Sequence, residues 1–381
     1  MRRSLNPTEK LLMQSVQEKF DFSDFVPMTG MQNRHLMTIL ASRWLRRFPS
    51  LLENQKQHII EVDQKASVLV ETNYVPKSLE TRERSIVVIL HGLEGSSRSH
   101  YVMGLAEKLV ANGISAARMN MRNCGGTMHL SRTLYNAGLS ADLTPVSEYF
   151  LNEGFDNVFF VGFSLGGNVV LKAASELSLR GKSWLKGVCA ISPSIDLHAC
   201  VTALEQWYNR IYELNFLFSL KSKIVEKNKL QPGKYDLSFL PRIKTVRNFD
   251  DIYTAPDGGY LTAGDYYSRA SALPLVPSIE QPVLIITAQD DPFVPFKSFL
   301  SKDLSGNNVT LLAPKYGGHA GFVGSRRASK TSERNRFLNK EADENPGSKA
   351  TENLITIPNV VSQTDRFWAE TACTDFFQKL M

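Results

Sequence analysis

Residues 157–167 read Asn157-Val158-Phe159-Phe160-Val161-Gly162-Phe163-Ser164-Leu165-Gly166-Gly167. A short apolar run, strand-like in composition, passes directly into G-x-S-x-G, and a helical pattern follows at 165–180. Strand, turn and helix in that order are the setting of a nucleophile elbow. Small residues two before and two after the serine let the backbone bend tightly. Ser164 is then thrust out at the edge of a sheet, and the adjoining helix N-terminus adds positive potential for a developing anion. Without the flanking strand and helix, the same five residues would read as a glycine-rich turn.

Working outward, largely apolar runs recur at 85–90, 114–119, 157–161, 186–191, 282–288 and 308–313. Strands with no polar alternation are buried on both faces, as in a parallel sheet. Helical patterns lie between them at 100–112, 137–152 and 165–180. Two half-buried strands at 58–62 and 66–70 precede them and predict an antiparallel sheet edge. The rhythm is that of a doubly wound α/β sheet.

Two stretches break it. Residues 197–278 are too long for a plain crossover. There Leu204, Trp207, Ile211, Leu214 and Phe218 recur at helical spacing, and the stretch is expected to form a helical cap inserted after the sixth strand. The stripe itself is read first as core packing and second as an acyl-pocket lining. Residues 325–350 are rich in Lys and Arg with few apolar side chains, which predicts a solvated, mobile insertion. The expected organisation is an N-terminal helical extension at 1–57, a core at 58–324 and 361–381 with its cap at about 197–278, and a basic insertion at 325–360.

A serine needs a base, and the base needs a carboxylate to orient it. Of seven histidines, only His319, in Tyr316-Gly317-Gly318-His319-Ala320-Gly321, follows the last strand. Two carboxylate positions compete. Asp291 lies in Asp290-Asp291-Pro292 after the strand at 282–288, and Asp196 follows the strand at 186–191. Asp291 is favoured because its loop lies beside the strand that precedes His319, leaving Asp290 to cap a turn. His91-Gly92-Leu93-Glu94-Gly95-Ser96 follows the strand at 85–90. Its turn offers the N–H of Leu93 which, with that of Leu165, would make an oxyanion hole. His91 is read as a brace for that loop. The order Ser164, Asp291, His319 is that of α/β-hydrolases.

Composition excludes other classes. The chain has 381 residues, 43% of them hydrophobic and 22% charged, which is neither disordered nor fibrous. No apolar run approaches the roughly 18 residues that cross a bilayer, and no secretory leader is read. Peripheral contact with a membrane stays open. The net charge of +6 is spread along the chain and read as a solvated surface. Cys124, Cys189, Cys200 and Cys373 are widely spaced, which suits reduced thiols and a cytoplasmic protein. No phosphate-binding loop, dinucleotide fingerprint or metal-ligand spacing occurs, and the basic insertion lacks the interleaved aromatics that stack nucleic acid. No cofactor or metal is expected.

Several motifs together resemble the YheT-like branch of the α/β-hydrolase superfamily, over roughly residues 25–324 and the final helix. They are Phe25-Val26-Pro27 with Asn33, His35 and Thr38; Asn120-Met121-Arg122-Asn123-Cys124-Gly125-Gly126; Phe249-Asp250-Asp251, Thr254-Ala255-Pro256, Gly259-Tyr260 and Tyr266-Tyr267 with Ser271; and the segments HGLEGSS, GFSLGGN, DDPFVP and GGHAGF. The resemblance implies a serine hydrolase with its roles on Ser164, Asp291 and His319, acting on carboxylic esters, with acyl-lipid substrates among some animal members. Asn123 stands where the family has glycine, and asparagine tolerates the left-handed backbone such a turn needs. Two alternatives stay open: an acyltransferase with the same three residues and an alcohol acceptor, and a binding protein on a hydrolase scaffold.

Overall fold

The computed structural model describes residues 24–75, 84–306, 308–325 and 366–381. The basic insertion, apart from Ser325, and the first 23 residues lie outside the described residues.

The sheet forms because its strands are apolar on both faces. β3 (Ser85–Leu90), β5 (Asn157–Phe163), β6 (Leu185–Ile191) and β7 (Val283–Ile286) are almost wholly buried. Their side chains alternate between two cores. Val88, Phe160, Val188 and Ile285 face one, and Val87, Phe159, Cys189 and Leu284 face the other. With β1 (Lys56–Asp63), β2 (Ala66–Asn73), β4 (Ser115–Met119) and β8 (Val309–Leu312), the eight strands lie in the order β1-β2-β4-β3-β5-β6-β7-β8. β1 and β2 pair antiparallel at one edge and β2 joins β4 antiparallel; every later pairing is parallel.

Helices cover both faces. α1 (Arg34–Arg43) and α2 (Pro49–Glu53) precede the sheet. α3 (His100–Ala111), α4 (Leu143–Asn152) and α5 (Leu165–Leu179) follow β3, β4 and β5. Between β6 and β7 come α6 (Leu197–Leu204), α7 (Arg210–Leu230) and α8 (Ala263–Ala270), with shorter turns among them, and α9 (Trp368–Gln378) closes the chain.

The stripe expected to pack into the core does not. Leu204 is buried, but Trp207, Ile211, Leu214 and Phe218 are exposed. The face of α7 that turns inward is Glu213, Leu217, Leu220, Ile224 and Lys227. Its two charges are held by partners: Glu213 by Arg210 at 2.6 Å, and Lys227 by Asn123 Oδ1 at 2.8 Å. Asn123 has φ 61°, the left-handed value its turn requires.

Candidate active site

Ser164 stands between β5 and α5, at the N-cap position of the helix, with φ 52° and ψ −116°, a backbone position a non-glycine residue holds only under constraint. Its N–H donates to Ile191 O at 2.9 Å, and its carbonyl accepts from Ser194 N–H at 3.1 Å, so β6 and the loop after it lock the turn. Gly162 is required here: a Cβ at that position would lie 2.5 Å from Gly167 N. Leu165 is the first residue of α5, where a backbone N–H has no intrahelical acceptor.

The loop after β3 comes to the same point. A Cβ on Gly92 would lie 3.1 Å from Ser164 Cβ, which puts that backbone and Leu93 beside the serine. His91 braces the loop. Its Nε2 accepts from Met121 N–H at 3.1 Å, so Nδ1 carries the proton and donates to Gly92 O at 2.8 Å. Complete burial pushes its pKa down to about 4, so it stays neutral.

His319 reaches the serine from the loop after β8. Its Nε2 lies 2.9 Å from Ser164 Oγ, and its Nδ1 lies 2.8 Å from Asp291 Oδ2. Asp291 Oδ1 accepts from the N–H groups of Phe293 at 3.0 Å and Val294 at 2.9 Å, which fixes the carboxylate plane. Phe293 packs on the imidazole with ring centroids 4.0 Å apart. The competing carboxylates are occupied elsewhere. Asp196 accepts from Ala199 N–H at 3.0 Å as the N-cap of α6, and Asp290 accepts from Gly318 N–H at 3.0 Å.

Three supports escape sequence reasoning. Thr38 of α1 accepts the N–H of His319 at 2.9 Å, which ties the N-terminal helix to the histidine loop. Thr38 does stand in one of the quoted motifs, but nothing in a single sequence says what it touches. Asn209 donates to Pro292 O at 2.7 Å, next to Asp291. Glu94, at φ 57°, accepts from Tyr135 Oη at 2.5 Å and Lys223 Nζ at 2.7 Å, and also from Ser219 Oγ. Burial alone would raise its carboxyl pKa, but the Lys223 charge and these hydrogen bonds outweigh burial and hold it down. The residue after Leu93 is thereby fastened to α7.

A pocket opens at Ser164, walled largely by Leu93, Leu165, Leu204, Phe216, Leu220 and Phe293. Asp250 also lines it and accepts from Tyr267 Oη at 2.7 Å; burial pushes its carboxyl up to about 6. Among the described residues no group of His, Cys, Asp and Glu gathers as a metal site, and no helix is long and apolar enough to cross a membrane.

Comparison with known proteins gives this geometry its context. The family model for the alpha/beta hydrolase fold matches residues 85–323. The putative esterase YheT of Escherichia coli is 30% identical over 306 residues, covering 79% of this chain and 88% of its own. A monoacylglycerol lipase of Saccharomyces cerevisiae is 30% identical over 66% of this chain and 58% of its own. Among solved structures, 2,6-dihydroxy-pseudo-oxynicotine hydrolase aligns over 76% of this chain and 66% of its own, with a TM-score of 0.50 at 16% identity, a likeness of fold. The chain belongs to the α/β-hydrolase fold family, on its YheT-like branch.

Proposed function

We propose that the chain is a serine hydrolase of carboxylic esters that works through an acyl-enzyme. The observation that carries this reading is the unbroken run Asp291 Oδ2–His319–Ser164 Oγ, at 2.8 and 2.9 Å, ending at the mouth of an apolar pocket. Asp291 on Nδ1 selects the tautomer whose Nε2 is free to accept the serine proton. Ser164 Oγ attacks the ester carbonyl as its proton passes to Nε2. The carbonyl electron pair moves onto oxygen, where the N–H groups of Leu93 and Leu165 receive it. The intermediate collapses, the C–O bond to the alcohol breaks, and His319 returns the proton to the leaving oxygen. Water then repeats the sequence with His319 as base and frees the acid. The helices at 197–278 act as the cap that roofs the acyl chain. The apolar walls, and relatives named esterase and monoacylglycerol lipase, support hydrophobic and acyl-lipid esters as the substrate class.

A fluorophosphonate probe tests the nucleophile. Wild type is expected to be labelled and Ser164→Ala spared, with turnover of p-nitrophenyl esters falling by about 10⁴–10⁶. Labelling that persists in the alanine variant would place the nucleophile elsewhere.

A further inference from the structure

α7 has two apolar faces, and only one is used by the core. Trp207, just before the helix, and Ile211, Leu214 and Phe218 on it are 84%, 78%, 50% and 76% exposed. Four large apolar side chains in one row are not what a solvated helix presents. α1 does the same beside it. Met37 and Thr38 turn inward, while Leu36, Ile39 and Leu40 are exposed next to Arg43, and Leu45 beyond the helix is 91% exposed. Of the four arginines between Asp24 and Glu53, Arg46 pairs with Glu370 at 2.5 Å and Arg34 packs on Tyr208, while Arg43 and Arg47 are exposed beside this face.

The two helices meet beside the candidate active site. His35 of α1 stacks on Tyr212 of α7 with centroids 5.8 Å apart, and Arg34 lies over the ring of Tyr208 at 5.1 Å. Tyr212 packs on Phe293 at 5.2 Å, and Phe293 packs on His319 at 4.0 Å. Phe293 is therefore the ring that stands between Tyr212, where the two helices touch, and the histidine.

We propose that the outer faces of α1 and α7 dock together on an anionic lipid layer. An apolar face edged by arginines, with a tryptophan at its end, is the composition that inserts at a lipid–water interface. Anionic headgroups supply the negative charge that the exposed Arg43 and Arg47 would meet. A second copy of the chain would not supply it: a two-fold interface sets the patch against itself and brings Arg43 and Arg47 towards their own equivalents. The carboxylates of α7 do not oppose docking. Glu213 is buried against Arg210, and Glu226 lies about two turns past Phe218. The docking itself is independent of the hydrolase reading, which enters only in what the surface would deliver to Ser164.

Co-sedimentation of the full chain with vesicles tests this, using phosphatidylcholine alone and phosphatidylcholine mixed with phosphatidylglycerol. Wild type is expected to bind the mixed vesicles more strongly, with a blue shift of emission that Trp207→Phe removes. Ile211→Ser with Phe218→Ser should weaken binding by about tenfold or more. Arg43→Gln with Arg47→Gln should remove the preference for the anionic lipid. Turnover of a short, water-soluble ester should stay at the wild-type value in all of these variants, since none of the residues lines the pocket. Wild type that stays in the supernatant would overturn the proposal. So would a double serine variant that still binds fully, or one whose only effect is to break a dimer. If vesicle binding is seen but no ester is cleaved, the hydrolase reading fails and the docking surface stands.

Discussion

At the scale of single residues, the candidate site turns on which carboxylate is free to orient an imidazole. Asp196 and Asp291 each follow a strand at the same edge of the sheet, so chain order alone leaves both in play. The structure separates them by what else they hold. Asp196 caps α6, and Asp291 spends one oxygen on two backbone N–H groups and aims the other at His319 Nδ1. Asp291→Asn is therefore expected to lower kcat by roughly 10⁴, because the amide favours the wrong imidazole tautomer. Asp196→Asn should leave kcat within about twofold, and Asp196→Ala should cost about 1 kcal/mol of stability as a lost cap. Steady-state kinetics and urea unfolding of the three variants check this. A crippled Asp196→Asn enzyme would move the acid to the earlier strand. The candidates Ser164, Asp291 and His319 were legible because Ser164 directly follows an apolar strand and the other two lie in the loops that follow later ones. Thr38 and Asn209 were not, since their value lies in contacts with residues far along the chain, which a single sequence does not display.

At the scale of elements, strands were more legible than the helices between β6 and β7, and the reason is physical. A strand buried on both faces shows as a short apolar run bounded by turn residues, and its length sets it apart from a helix. α7 has two helical rows, and the row richer in aromatics is the one left outside. The inward row includes Glu213 and Lys227, tolerated there because Arg210, Asn123 and backbone carbonyls partner them. The same helix reaches the loop after β3 through Lys223 and Ser219, which grip Glu94. That loop carries Leu93, so the position of a candidate oxyanion donor depends on α7. Glu94→Gln removes the charge that Lys223 pairs with and keeps the size of the side chain. It is expected to lower kcat by about tenfold with little change in KM, because a misplaced donor is felt in the transition state more than in the ground state. Affinity for a trifluoromethyl ketone, which mimics the tetrahedral intermediate, should weaken in parallel. A variant that loses only thermal stability, with kcat and ketone affinity intact, would reduce Glu94 to a structural tie.

At the scale of the whole molecule, the issue is how a site assembled from distant segments stays rigid beside a long basic insertion. The sequence places the insertion six residues after His319. The structure sets a clamp between them. Met28 N–H donates to Val323 O at 3.0 Å, Gly324 N–H donates to Arg366 O at 2.6 Å, and Ser325 N–H donates to Val26 O at 2.9 Å. Trp368 N–H donates to Phe322 O at 3.1 Å, and Phe25 packs on Phe322 and Trp368 with centroids 5.9 and 5.4 Å away. The described chain thus leaves at Ser325 and returns at Arg366 from adjacent positions, above a buried seam that joins the N-terminal stretch, the histidine loop and α9. Thr38 adds a second hold on His319 from α1. Between Ser325 and the imidazole the chain passes through this seam. Replacing residues 326–365 with a short Gly/Ser link is therefore expected to leave the melting temperature within a few degrees. A shorter loop costs slightly less closure entropy, by about 0.6 kcal/mol per halving. kcat on a short ester should stay within about twofold. Calorimetry and steady-state kinetics on the excised protein measure both. A steep loss of kcat at unchanged melting temperature would mean that the insertion itself bears on the histidine loop, and that the seam does not isolate it.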